Sequence, residues 1–245
     1  METILKAENL NVYYRDYQKH MGSRKQILHN VSFEIQKGEI VGLAGESGSG
    51  KSTLAKTLLG MNRDVEGVIN KTDAGKLSVA MIFQDPYGSL NPAKRIGWIL
   101  QEPLRIRGGM NKKEMESRAE EMLVRVGLSK DLMNRYPRQL SGGQRQRVCI
   151  GVALMQEPKL LIADEPVSAL DVTIQAQITE LLKTLQKEMA LSILFISHDL
   201  RIVYQMCDRV MIMKEGRIVE SGRAEEIYFA PKEAYTKALL EAAGI

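Results

Sequence analysis

Gly45-Glu46-Ser47-Gly48-Ser49-Gly50-Lys51-Ser52 places glycines, a lysine and a hydroxyl directly after the apolar run Ile40 to Ala44 and ahead of a helical stretch ending near Gly60. Glycines let a backbone fold tightly enough for successive N–H groups to converge on phosphate oxygens at the positive end of the following helix. Lys51 can then reach the β- and γ-phosphates of a nucleotide. Ser52 offers a hydroxyl to Mg²⁺, which prefers hard oxygen ligands, and Thr53 follows on the same turn. The bland reading is a glycine-rich turn carrying Lys-Ser by accident, a pattern that arises in roughly one chain in a hundred of this length. The loop points to a nucleotide without fixing what is done to it, since kinases, GTPases and motor ATPases share it.

Two further clusters narrow the chemistry. Leu160-Leu161-Ile162-Ala163-Asp164-Glu165-Pro166 reads as an apolar strand ending in adjacent carboxylates. At such an edge the first can hold Mg²⁺ through water and the second can face the water that attacks a γ-phosphate. An acidic helix cap would explain one carboxylate and does not require two. Leu140-Ser141-Gly142-Gly143-Gln144 precedes an apolar-faced helix through Val148, Ile150, Val152, Ala153 and Leu154. Ser141 can cap that helix, and the glycines allow an anion close to its backbone. If both phosphate-binding devices serve one ATP, the simplest geometry is two protomers, each lending a Ser-Gly-Gly end to the other's lysine loop.

The elements that must hold these residues show in the periodicity. Ile40 to Ala44, Val79 to Phe83, Leu160 to Ala163 and Ile193 to Ile196 read as buried strands of a mostly parallel sheet. Ile4 to Leu10 and Val31 to Ile35 alternate like half-buried antiparallel strands, and Val210 to Met213 and Arg217 to Val219 flank Lys214-Glu215-Gly216 as a hairpin. Between Asn91 and Leu140 the β-signals vanish. Asn111 with Glu114 makes a capping-box-like start, and Met115, Ala119, Met122, Leu123 and Val126 recur at helical spacing until Gly127, so this stretch is a helical insertion. Another helix follows Asp171, with Ile174, Ile178, Leu181, Leu182 and Leu185 on one face.

At 245 residues, 44% hydrophobic and 26% charged, the chain can bury a core without staples, which excludes disordered, collagen-like and disulfide-scaffold classes. The 34 basic and 30 acidic side chains are interspersed, as on an ordinary solvated surface. The longest apolar run, Val148 to Met155, is far below the roughly 18 residues that cross a bilayer. Met1 to Lys6 lacks a signal-peptide stretch, and Cys149 and Cys207 have no metal-ligand spacing, so a reducing cytoplasm is expected. The 13 methionines are scattered and read as core filling.

In this setting the motifs resemble those of the ATPase subunits of ATP-binding cassette transporters. Leu140 to Gln144 is similar to the family signature. The order of the phosphate loop, Gln84, the signature, Asp164-Glu165, Ser168-Ala169-Leu170-Asp171 and His198 matches the family over nearly the whole chain. The resemblance implies an α/β fold: a P-loop NTPase (RecA-like) core with N-terminal antiparallel β strands, at about 1–85 and 156–245, and an inserted α-helical subdomain at about 86–155. It implies Tyr14 stacking on adenine, chosen over Tyr13 by the family's spacing, and the loop from Gly45 to Thr53 around the phosphates. Ser52, Gln84 and Asp164 would hold Mg²⁺. Glu165 would be the catalytic glutamate, acting with Lys51, Gln84 and the switch histidine His198. Ser141, Gly142, Gly143 and Gln144 would meet the partner's ATP, and Asp171 would lie in the loop that crosses the dimer. Taken singly, Gln84 says almost nothing and His198 reads as a satisfied turn histidine; their place in the order gives them weight.

Phe83-Gln84-Asp85-Pro86-Tyr87-Gly88-Ser89-Leu90-Asn91-Pro92, Asp171 to Gln177, and Tyr235-Thr236-Lys237-Ala238-Leu239-Leu240 are similar to segments of the ATPases of oligopeptide, dipeptide and nickel importers. Three departures stand out. The span from Gly60 to Val79 is short, which should trim a β-hairpin. Lys232-Glu233-Ala234 replaces the usual His-Pro before the tyrosine. No cysteine-bearing extension follows, so no iron–sulfur cluster is expected. The resemblance implies ATP and Mg²⁺ as cofactors, and hydrolysis coupled to uptake of peptides or nickel. It also implies a second ATPase subunit, the same or paralogous, and two permease subunits contacted at roughly Pro86 to Met110. An extracytoplasmic solute-binding protein acts indirectly, with no nucleic acid involved, and the chain sits at the cytoplasmic face of the cell membrane. The alternatives are a cassette ATPase acting in DNA repair or on ribosomes, and, lower, a P-loop kinase for a small metabolite.

Overall fold

Strands buried on both faces read as unbroken apolar runs and half-buried strands as alternation, and both kinds occur here. The computed structural model describes residues 2–15, 24–71, 77–168 and 170–245. They fall into two units, Met1–Leu77 with Ala190–Ile245, and Ser78–Met189. The first unit opens with β1 (Thr3–Arg15), β2 (Arg24–Gln36), β3 (Ile40–Ala44), α1 (Lys51–Leu58) and β4 (Val65–Lys71). The second contains β5 (Val79–Ile82), α2 (Pro86–Ser89), α3 (Ile96–Arg107), α4 (Lys112–Arg125), α5 (Gly142–Leu154), β6 (Leu160–Asp164) and α6 (Val172–Met189). The chain then returns to the first unit as β7 (Ser192–Ile196), α7 (Leu200–Met206), β8 (Arg209–Lys214), β9 (Arg217–Arg223), α8 (Ala224–Phe229) and α9 (Ala234–Ala242).

In the first unit β1 is the middle strand of an antiparallel sheet ordered β2-β1-β4. Ala7 faces Phe33 on one side and Ile69 on the other. The alternating burial of β1 places Leu5, Ala7, Leu10 and Val12 inside. Asn9 breaks the register with φ 53, and its carbonyl crowds β4 so closely that a Cβ on Gly67 would sit 2.5 Å from it. β4 lies in the short span after Gly60 where the resemblance implies a trimmed hairpin, although the periodicity alone does not announce it.

The phosphate-loop strand β3 pairs in parallel with β7 and β8, and β9 returns antiparallel along β8. Every residue of β3 and β7 is buried. The β8–β9 turn at Glu215 and Gly216 has φ of 45° and 75°, the left-handed pair that a two-residue hairpin requires. In the second unit β5 pairs in parallel with β6. Residues 86–155 carry α2 to α5 and no strand. α4 starts with the expected capping box, Asn111 with Glu114. The result is the expected mixed α/β fold, antiparallel in its first sheet and mostly parallel around β3. Among the described residues, no helix is long and apolar enough to cross a membrane.

Candidate active site

β3 delivers the phosphate loop to the N-terminus of α1. Gly45 has φ 149, and a Cβ there would lie 2.1 Å from the Met213 carbonyl, so only glycine lets the loop lie this close to β8. Lys51 is 6% exposed, and its Nζ donates to the Gly45 and Glu46 carbonyls at 2.8 Å each. The first amide to close a helical turn of α1 is Leu54, on the Gly50 carbonyl at 2.9 Å. The amides of Lys51, Ser52 and Thr53 therefore precede the intrahelical ladder and face the helix end. Glu46, Ser47, Gly48 and Ser52 are exposed, while Ser49 is buried and its carbonyl accepts from Gly216 N at 2.8 Å.

The two neighbouring tyrosines differ. Tyr13 donates to Glu66 Oε2 at 3.1 Å, and the Arg24 guanidinium lies 5.1 Å from its ring centroid. Tyr14 is 39% exposed and its hydroxyl is 3.3 Å from Asn62 Oδ1 and 3.5 Å from Thr53 Oγ1, on the α1 side of the loop. Of the pair, Tyr14 has its hydroxyl near α1 and Tyr13 has its hydroxyl on β4. His198 is exposed two residues after the end of β7, and Asp199 caps α7 by accepting from Arg201 N and Ile202 N at 2.9 and 3.3 Å.

The second unit holds the other candidates. β6 ends at the buried Asp164, and Glu165 follows with φ 49, a left-handed conformation that costs a non-glycine residue on the order of 1 kcal/mol or more. Ser168 closes this turn, its N and Oγ donating to the Glu165 carbonyl at 3.3 and 3.2 Å. Gln84 Nε2 donates to Glu165 Oε2 at 3.3 Å, so the structure brings these two together.

Ser141 caps α5 as expected, its Oγ accepting from Gln144 N at 3.3 Å while Gln144 Oε1 accepts from Ser141 N at 2.9 Å. Asp171 Oδ1 accepts from Ile174 N at 3.0 Å and so begins α6. Ile174 packs on the signature, because a Cβ on Gly143 would sit 2.8 Å from its Cγ2. Ala169 lies outside the described residues, as does part of the short span after Gly60.

Arg145 escaped the sequence reading, since an arginine beside a polar cap ordinarily reads as solvated. It is 9% exposed, its guanidinium 3.8 Å from the Tyr87 ring centroid; Nη2 donates to the Tyr87 hydroxyl and Nη1 to the Pro137 carbonyl at 3.1 Å. It thereby ties the segment behind Gln84 to the signature helix. The available signal was its helical spacing from the apolar Val148 and Cys149.

Cys149 on α5 is buried, and burial, with the Asp85 carboxylate adding to it, pushes its thiol up from 9.0 to about 12. The neutral thiol stabilises the fold fully below about 9, and that contribution is lost as pH rises toward about 12. In a Cys207→Ser background, Cys149 should resist a thiol-specific dye at pH 8 until the chain unfolds. Rapid labelling of the native chain would contradict this burial.

The first unit has a glycine loop between β3 and α1 with its lysine held on its own carbonyls, and the second has a carboxylate-ended strand with a glutamine on its glutamate; both are features of P-loop ATPases. Comparison with known proteins agrees. The ABC transporter family profile matches residues 28–168. The oligopeptide transport ATP-binding protein OppF of Haemophilus influenzae is 47% identical over 229 residues, 88% of this chain and 69% of that protein. The solved structure of cbiO1 from Clostridium perfringens, part of the ABC transporter complex cbiONQ, is 31% identical with a TM-score of 0.80, covering 94% of this chain and 92% of that one. The ATP-binding cassette MJ0796, in a dimeric post-hydrolysis state bound to ADP and Pi, is 30% identical with a TM-score of 0.76, covering 90% of this chain and 98% of that one. The chain belongs to the ABC transporter family.

Proposed function

We propose that this chain is the ATP-hydrolysing subunit of a peptide importer, working at the cytoplasmic face of the membrane beneath permease subunits. The observation that carries the reading is the 47% identity to an oligopeptide transport ATP-binding protein across 88% of this chain. In this proposal about 1–85 and 156–245 form the catalytic core, and about 86–155 the helical subdomain. The permease contact falls on the stretch from Pro86 to Met110, which presents Tyr87 and Ile106 to solvent.

Tyr14 stacks on adenine, and the amides from Gly45 to Thr53 with Lys51 take the phosphates. Ser52 of the first unit and Gln84 and Asp164 of the second, the three residues that the family order assigns to the ion, would offer a hydroxyl, an amide oxygen and one buried carboxylate, the hard oxygen donors that Mg²⁺ prefers. An ion held by these residues would supply neutralisation of the charge that develops on the phosphate oxygens. Glu165 orients the attacking water and draws on its proton, with Gln84 steadying the carboxylate from one side. His198 meets the γ-phosphate. A second cassette, the same or paralogous, contributes its Ser141 to Gln144 helix end and its Asp171 loop, in keeping with the dimeric MJ0796 structure. Closure on ATP then biases the permeases toward one access state, because ATP favours the closed pair.

The test is copurification from membranes followed by ATP-dependent uptake in vesicles. Permease subunits and accumulation of labelled oligopeptide are expected. Accumulation of nickel without peptide would reassign the cargo, and recovery with ribosomes or DNA in place of permeases would overturn the reading.

A further inference from the structure

The segment beginning at Tyr235 carries a resemblance to importer ATPases but has no task in the site described above. The structure seats it against the phosphate loop. On β9 the Glu220 carboxylate accepts from Lys232 N at 2.8 Å and Glu233 N at 3.2 Å, pinning the chain just ahead of α9. Tyr235, in the first turn of α9, lies with its ring centroid 4.7 Å from Lys214 Nζ. Its phenolic oxygen accepts a hydrogen bond from Glu46 N at 3.4 Å.

The Glu46 N–H and the Gly45 C=O are opposite edges of one planar peptide unit, and in the trans form they point in opposite directions. On the far edge, Gly45 O accepts from Lys51 Nζ at 2.8 Å. A single rigid plate is therefore held by Tyr235 on one side and by Lys51 on the other. The same loop is backed by Gly216 N on the Ser49 carbonyl at 2.8 Å, so Tyr235 adds a third anchor from the C-terminal part of the unit. Desolvation pushes the Tyr235 phenol above its ordinary range, which keeps it a neutral hydroxyl.

We propose that Tyr235 is a positioning residue for Lys51, acting through the Gly45–Glu46 peptide unit, so that α9 sets the tilt of the carbonyl that holds the lysine. This rests on reading Gly45 to Ser52 as the phosphate site. Without its hydroxyl the plate can rock, and Lys51 is presented to phosphate over a spread of positions rather than one.

The experiment uses the full chain with Tyr235→Phe, which keeps the ring under Lys214. MgATP affinity by equilibrium titration should weaken, by at most about threefold to tenfold, the worth of one net hydrogen bond, while the thermal midpoint falls by no more than about 4 °C. In a Lys51→Ala background the same substitution should cause no further loss, because its path runs through Lys51. A merely structural tyrosine would cost the same in both backgrounds. Native affinity in Tyr235→Phe, or an equal loss in both backgrounds, would overturn the positioning role. Native MgATP affinity in Lys51→Ala alone would instead overturn the phosphate-loop reading on which it rests.

Discussion

Replacing Glu165 by Gln should lower ATP turnover by about 10²- to 10⁴-fold, the usual range for removing a positioned general base, while leaving MgATP binding intact. The geometry explains the split. Glu165 follows β6 in a left-handed backbone conformation, fixed by Ser168 on its carbonyl and by Gln84 on its carboxylate. An amide at this position still offers an oxygen to Gln84 Nε2, so the ground-state arrangement survives. What is lost is the basic lone pair that the proposed mechanism directs at the attacking water. If ATP binding closes the pair of cassettes and hydrolysis reopens it, the variant should accumulate as a dimer with MgATP on size exclusion. A variant that stays monomeric with ATP and turns over at the native rate would remove Glu165 from its proposed role.

Lys51→Ala should act earlier in the cycle, weakening nucleotide binding by roughly one to two orders of magnitude, as expected for hydrogen bonds to a charged group. The ammonium is nearly buried, and its two 2.8 Å bonds hold it on the Gly45 and Glu46 carbonyls. It is thus a fixed positive charge in the concave side of the loop, with little entropy left to lose when phosphate arrives. Lys51→Arg separates charge from shape: it restores the charge but not the compact ammonium that fits between two adjacent carbonyls. It should recover only part of the affinity. Fluorescent-nucleotide titration reads both variants, and unchanged affinity in the alanine variant would contradict the assignment.

The parts of the fold that could be read in advance are those with one environment along their length. β3, β6 and β7 are buried throughout, so their apolar runs mark them almost to the residue. The capping box at Asn111 is equally local. β4 is silent in the periodicity because all of its residues are exposed or intermediate and Gly67 interrupts them, so no face repeats. Its place is set by β1, through contacts that no short window contains.

The site divides in the same way. The phosphate loop, the Asp164-Glu165 pair and the Ser141 cap are contiguous motifs whose spacing carries their chemistry. Tyr13 and Tyr14 are alike in type, and what distinguishes them in the fold is the company Tyr13 keeps, Arg24 and Glu66, which are distant in sequence. Arg145 and Tyr235 are further cases. Each matters through a partner brought up by tertiary packing, and the Tyr235 contact joins residues 189 positions apart.

The β8–β9 turn has a practical consequence. Hairpin tips are ordinarily the places where a chain tolerates an epitope tag or a few added residues. Here the tip is stitched into the machinery, with Gly216 N on the Ser49 carbonyl, the Gly216 carbonyl accepting from His29 N at 2.9 Å, and the Ile27 oxygen 2.0 Å from where a Cβ on Gly216 would stand. A label placed at this corner would reach the nucleotide cradle as surely as a change in the cradle itself, so fluorophores meant to report on the cassette without disturbing it belong on another surface.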